Sequence, residues 1–313
     1  MDIRRPLDTR AFSLMIIFCL CLAMQQVALK ATAQDISPVL QIALRSGIGA
    51  TLVALYMLLR RERLTFADGN WKPGLVVGVL FALEYWLLGE ALRLTSASHA
   101  VVFLYSAPVF SALILHFLVH AEKMTALQWS GIALAFCGIA VAFLGPQTPD
   151  LGNEASSSML GDLLALLAGA AWGATTVVIR TSRLARISAT QTLLYQLVVA
   201  FVLLLISAAA LDQWVFNPTP LALLSLGFQS IIVSFAAFLI WFWLLRHYLA
   251  SRIGVLSFMT PLLGVALGAW LLNEPVESGF LFGALLVIAG IVLVSGDGWL
   301  RQKFRIYNKQ EAS

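Results

Sequence analysis

Two charged residues stand where a charge is costly. Arg45 lies in the apolar run 38–60 and Glu84 in the apolar run 73–93. If both runs cross a bilayer, each charge costs at least a few kcal/mol and by default faces a cavity or a partner inside the bundle. At 1.5 Å per residue, Arg45 is roughly 10 Å and Glu84 roughly 14 Å deep from the same side, so the two can meet. One reading is an ion pair that pins two helices together. The other is a pair for which a substrate or a proton competes, with Glu84 as the proton carrier. Gln41 sits one turn before Arg45 on the same helical face, and Gln25 and Gln26 fall at similar depth in the first run. A guanidinium with amides beside it suits a carboxylate. Hydrogen bonding between helices is an equal use of the amides.

The second half has no comparable charge inside its apolar runs. Tyr105, Trp172, Tyr195 and Gln229 are the candidates to line a cavity, together with Trp86, Gln196, Ser234 and Trp241. The competing use of the aromatic ones is packing or anchoring at the membrane interface. Pro108 and Pro261 each remove one helical hydrogen bond and kink their run. Interruptions at paired positions of two halves point to a binding site or a gate, against the alternative of an inert bend. Glu90 and Arg93 read as a surface pair, and His99 and His116 as solvated residues near the interface. Cys19, Cys21 and Cys137 lie in apolar runs without metal-ligand spacing and read as small packing residues. No HExxH helix, nucleophile with its base, or paired aspartates is present, so no catalytic residue, metal or cofactor is expected.

The elements that must carry these residues are membrane spans. The 313 residues are 60% hydrophobic and 12% charged, whereas a soluble domain needs roughly 25% charge to wet its surface. Ten apolar runs cover 11–33, 38–60, 73–93, 98–119, 126–145, 160–180, 190–211, 220–245, 252–272 and 278–296. Each approaches the roughly 20 residues that a helix needs to cross hydrocarbon. None alternates with period two, which excludes a barrel. The expectation is an all-α integral membrane protein of ten transmembrane helices, with the lipid bilayer as its main partner.

Arg4, Arg5 and Arg10 precede the first run, and Ala31-Thr32-Ala33 has the form of a cleavage site. Gln25, Gln26 and Lys30 interrupt the approach to it, and the repeat below requires this helix, so it reads as retained. Lys and Arg gather in alternate connections and at both ends, which places both termini in the cytoplasm. Their dispersal excludes a nucleic-acid surface. No oligomeric state follows from these residues.

The chain also repeats. Ala97-Ser98, Pro108, Glu122, Gly131 and Gly138-Ile139 recur as Ala250-Ser251, Pro261, Glu274, Gly283 and Gly290-Ile291, with one residue of slippage between Pro and Glu. Glu122 and Glu274, at helix ends, read as fold-determining. Five helices per copy is an odd number, so the second copy is inverted. Inverted repeats build a site at their interface near the bilayer midplane, where one half rocks against the other.

With this duplicated set and the segment Val39-Leu40-Gln41-Ile42-Ala43-Leu44-Arg45, the chain resembles the drug/metabolite transporter superfamily, specifically its EamA-type family. The Trp-Gly usual in the first helix of each half is present as Trp172-Gly173, while the first half has Met24-Gln25. The resemblance implies two five-helix repeats, 11–145 and 160–296, in a bacterial inner-membrane carrier. It implies a small-molecule substrate, often an exported amino acid, related metabolite or toxic compound, with spans five and ten peripheral. A facilitative or uptake carrier is the nearest alternative. A membrane receptor, scaffold or enzyme is further off.

Overall fold

Each apolar run folds as a helix, because only intrasegment hydrogen bonds satisfy the backbone in hydrocarbon. The structure is a computed structural model, and it describes residues 7–66, 69–95, 97–143, 155–272, 279 and 281–294. The first repeat contains α1 (Thr9–Ala31), α2 (Pro38–Leu59), α3 (Trp71–Leu94), α4 (Ala97–Leu104), α5 (Ala107–Leu118) and α6 (Ala126–Phe143). The second contains α7 (Ala155–Thr181), α8 (Ala189–Ala210) and α9 (Pro220–Phe228), a π-helical segment Gln229–Ala237, α10 (Phe238–His247), α11 (Ala250–Leu256) and α12 (Met259–Leu272). The last helix is α13 (Leu281–Val294). Eight spans are long and apolar enough to cross a membrane, and α6 and α13 are shorter apolar helices that bring the number to ten.

Local sequence sets the starts and the breaks. Pro38 and Pro220 open α2 and α9, where a missing N–H costs nothing. Ser188 and Thr219 cap α8 and α9 by accepting from Gln191 N and Ala222 N. The fourth span breaks at Tyr105–Ser106 and the ninth at Ser257–Phe258, each just ahead of its proline. Pro108 cannot donate to residue 104, nor Pro261 to residue 257. Inside each break a serine hydroxyl donates to a carbonyl three residues back, Ser106 Oγ to Phe103 O and Ser257 Oγ to Gly254 O, both at 2.6 Å.

The eighth span has 28 residues where its counterpart α3 has 24. The π-helical segment takes up part of the surplus, since its wider turn takes more residues per rise.

Packing runs mostly between the repeats. α3 lies against α7 and α8, and α2 lies against α8 and the π-helical segment. α1 packs on α12 as α4 and α5 pack on α7. Exchanging each span with the one five places later reproduces the same pairs, which is the mark of two copies related by a pseudo-two-fold. α6 and α13 meet through glycines: a side-chain carbon on Gly138 would lie 2.7 Å from Gly283 O, and one on Gly131 2.8 Å from Gly290 O.

The two ends of the bundle are tied differently. At one end the α1–α2 and α8–α9 connections clasp through an Ile36–Phe216 bridge and Asn217 N donating to Asp35 O at 2.8 Å. At the other end the α2–α3 connection meets the start of α8, where Thr65 Oγ1 donates to Gln191 Oε1 at 3.2 Å. α1 begins at this second end, where Tyr248 Oη donates to Asp8. α7 begins at the first, where Thr95 Oγ1 donates to Asp162 Oδ1 at 2.6 Å. Large apolar side chains such as Leu58, Phe117, Leu224 and Trp270 stand outward and exposed, as a lipid-facing surface requires.

Candidate functional site

At mid-depth, α1, α3, α4, α7, α8 and α10 leave a cavity of about 70 Å³ between the repeats, room for several waters. One helical face of each element turns toward it. In α1 these are Phe18, Leu22 and Gln25, in α3 Phe81, Glu84, Tyr85 and Leu88, and in α10 Phe238, Trp241 and Phe242. Their spacings of three and four residues are those of a single helical stripe. Leu104, Tyr105, Trp172, Thr175, Gln196 and the exposed Gln26 complete the lining.

The walls are aromatic and interlocked. Phe18 stacks on Trp241 with centroids 5.1 Å apart, and Tyr105 meets Trp172 edge to face at 5.4 Å. Phe81 stands edge to face against Tyr85 at 4.8 Å and against Phe238 at 5.8 Å. The polar groups are few. Among the described residues Glu84 is the one acidic lining residue, and no Lys or Arg lines the cavity. Gln25 Oε1 and Gln196 Oε1 are buried and accept no hydrogen bond among the described residues.

Arg45 lies behind this wall, completely buried. Its guanidinium sits over the Tyr85 ring at 5.1 Å and the Phe238 ring at 5.9 Å. It interacts electrostatically with Glu84 and Tyr85. None of its three nitrogens has an aligned hydrogen-bond acceptor among the described residues. Two cation–π contacts contribute about 0.5–2 kcal/mol each, while burying an ion costs several kcal/mol. The rings alone do not offset that cost, and the field of Glu84 is the nearest compensation.

The remaining candidates separate by place. Gln41 Nε2 donates to Thr32 Oγ1 at 2.9 Å, and Gln229 Nε2 donates to Gln41 Oε1 and to Ser225 Oγ. This network ties α1, α2 and the eighth span on the side of the α1–α2 connection. Tyr195 donates from Oη to Asn70 Oδ1 at 2.9 Å and accepts from Gln191 Nε2 at 2.8 Å, toward the opposite end. Pro108 lines a second, smaller cavity that shares Trp172 and Trp241 with the first. Pro261 bounds the matching break but lines neither. Ser234 is buried against Gly49, and Trp86 stands exposed, away from the cavity. His116 accepts from Met124 N at 3.1 Å. The expectations on Glu274 and on the side chains of Arg93 and His99 fall outside the described part of the structure.

Phe18, Tyr85 and Phe238 were not legible as a set from residue types alone, but projecting α1, α3 and α10 onto helical wheels with Gln25, Glu84 and Trp241 as anchors finds them. Among the described residues no group of three His, Cys, Asp or Glu can hold a metal.

The sequence model of the EamA-like transporter family matches residues 9–144 and 159–296. The uncharacterized transporter YoaV of Bacillus subtilis (strain 168) is 26% identical over 273 residues, covering 85% of this chain and 90% of the relative. A second uncharacterized transporter of that organism, YvbV, is 27% identical over 264 residues, covering 82% of each. A solved crystal structure superposes with a TM-score of 0.76 at 20% identity, covering 92% of this chain and 96% of the other. That last likeness concerns the fold alone.

Proposed function

The chain belongs to the EamA-like transporter family, and from that premise we propose that it is a secondary carrier exporting a small amino-acid-like or related organic solute by alternating access. The observation that carries this reading is the cavity between two inverted repeats, lined by side chains from both, with Glu84 in its wall. A site shared by two halves changes its access when one half rocks against the other. Residues 11–145 and 160–296 are the two moving units. Gln25, Glu84, Tyr105 and Trp172 touch the solute, Arg45 stands behind them without touching it, and Gln41, Gln229 and Tyr195 close the ends. Glu84 carries the coupling proton. The bias of Lys and Arg supports a bacterial inner-membrane location with both termini cytoplasmic.

The test compares metabolites inside cells and in the medium when the protein is overproduced, absent, or replaced by Glu84→Gln. A compound that leaves the cell only with the intact protein names the solute and the direction. A compound that accumulates inside instead turns the reading to uptake. For the proton role, Glu84→Gln is expected to abolish the pH dependence of transport. An unchanged rate and pH profile in that variant removes Glu84 from coupling.

A further inference from the structure

We propose that the cavity reads the ammonium end of its solute: its ligands are organic ammonium ions carrying N–H donors and an apolar or aromatic body. This rests on the cavity being the solute site. The lining carries a carboxylate, and an amide oxygen without a donor lies buried just behind its surface. Gln196 Oε1 is buried without a hydrogen-bond donor among the described residues, the Gln25 side chain is within hydrogen-bond reach of Tyr85, and Glu84 supplies the one carboxylate among the described lining residues. An unmet buried acceptor is costly, and a turn of the Gln196 amide toward the space lets a ligand's donor recover that cost. A primary ammonium has three donors in a compact group.

The walls agree with this polarity. The faces and edges of Phe18, Trp241, Tyr105 and Trp172 enclose the space, and aromatic faces attract cations. A carboxylate would instead enter beside Glu84, and no basic side chain among the described residues lines the cavity. The nearby Arg45 has its guanidinium over the rings of Tyr85 and Phe238, which stand between it and the space. Arg45 also interacts with Glu84. A ligand ammonium therefore competes with Arg45 for the same carboxylate, so Arg45 opposes the ligand's charge instead of binding the ligand.

The experiment is isothermal titration calorimetry of the full-length protein in detergent with two probes that share one body: 2-phenylethylamine, a cation, and 3-phenylpropionate, an anion. Saturable binding of the amine and none of the propionate is expected. Glu84→Gln and Gln196→Leu should each weaken the amine roughly tenfold or more, the worth of one charge-assisted hydrogen bond. Arg45→Met should bind the amine as well as or better than the unaltered chain. Circular dichroism and a monodisperse elution profile establish that each variant is folded, and Gln196→Leu keeps the test open if Glu84→Gln is not. Binding of the propionate with loss in Arg45→Met overturns the inference, as does silence from both probes at millimolar concentration. If metabolite comparison names an exported solute without an amino group, the inference fails and the carrier reading stands. If nothing is exported yet the amine binds as described, the carrier reading fails and the ligand class stands.

Discussion

Glu122 shows how much one side chain holds together. It is buried at the end of the fourth span, and its two carboxylate oxygens serve two distant parts of the chain. Oε1 accepts from Arg180 Nε at 2.7 Å and from Ala250 N at 3.0 Å, and Oε2 accepts from Ser251 N at 3.1 Å and Ser251 Oγ at 2.6 Å. It therefore joins the end of α7 to the first turn of α11. Breaking a buried pair by deleting one partner costs about 3–5 kcal/mol, since the other charge stays buried. Glu122→Ala should lower unfolding stability in detergent by about 3 kcal/mol or more, and Glu122→Gln, which keeps an acceptor but loses the charge, by less. Equal losses in the two variants would mean that the charge contributes nothing. The repeat marked Glu122 as fold-determining, but its partner Arg180 lies 58 residues away, and only the docking of the two halves brings them together. Arg45 and Glu84 tell the same story from the other side. Rise per residue gave their depth, and so their proximity. It did not give the direction in which Arg45 points, which depends on where the rings of Tyr85 and Phe238 pack.

At the scale of elements, the fifth and tenth spans depend on glycine for their approach. A side-chain carbon on Gly290 would collide with the carbonyl oxygen of Gly131 and with Ala135, all on the α6–α13 contact. Gly264 in α12 has open space where its side chain would be. The same substitution should therefore act in opposite directions. Gly290→Ala forces the helices apart, at a cost of about 1–3 kcal/mol typical of overpacking. Gly264→Ala should be neutral or stabilising by about 0.5–1 kcal/mol, because alanine is the better helix former. Thermal unfolding of the two variants side by side checks the sign. If Gly290→Ala unfolds no earlier than Gly264→Ala, the glycine contact is not what holds the two spans together. The spans were legible because lipid leaves helices as the solution for such runs, and both proline breaks followed from residue type. The π-helical segment was not. It becomes visible only once Ala97-Ser98 is set against Ala250-Ser251 and Asn70 against Thr219, which leaves the eighth span four residues longer than the third.

For the whole molecule, the pseudo-two-fold arrangement gives each end of the bundle its own tie, with the cavity between them. On the side of the α1–α2 connection, Thr32 Oγ1 donates to Ser225 Oγ at 3.3 Å, beside Gln41 and Gln229. On the other side, Tyr195 packs on Gly74 and bonds Asn70. A carrier that alternates access must loosen one tie while the other holds, so covalent closure of either should stop it. After replacement of Cys19, Cys21 and Cys137, the pair Thr32→Cys with Ser225→Cys closes the first end. The pair Gly74→Cys with Tyr195→Cys closes the second, since a side-chain carbon at Gly74 would lie 3.1 Å from Tyr195 Cβ, near the range that a disulfide spans. Oxidation of either pair should arrest transport of the solute that metabolite comparison identifies, and reduction should restore it. The reduced form of each variant serves as its own control, so loss of the Tyr195 hydrogen bonds is separated from the effect of the crosslink. Arrest by only one pair would mean that the solute passes one end without the rocking of the halves. Full transport with both pairs oxidised would mean that neither tie lies on the path, and that the opening of the cavity must be sought along α3 and α10 instead.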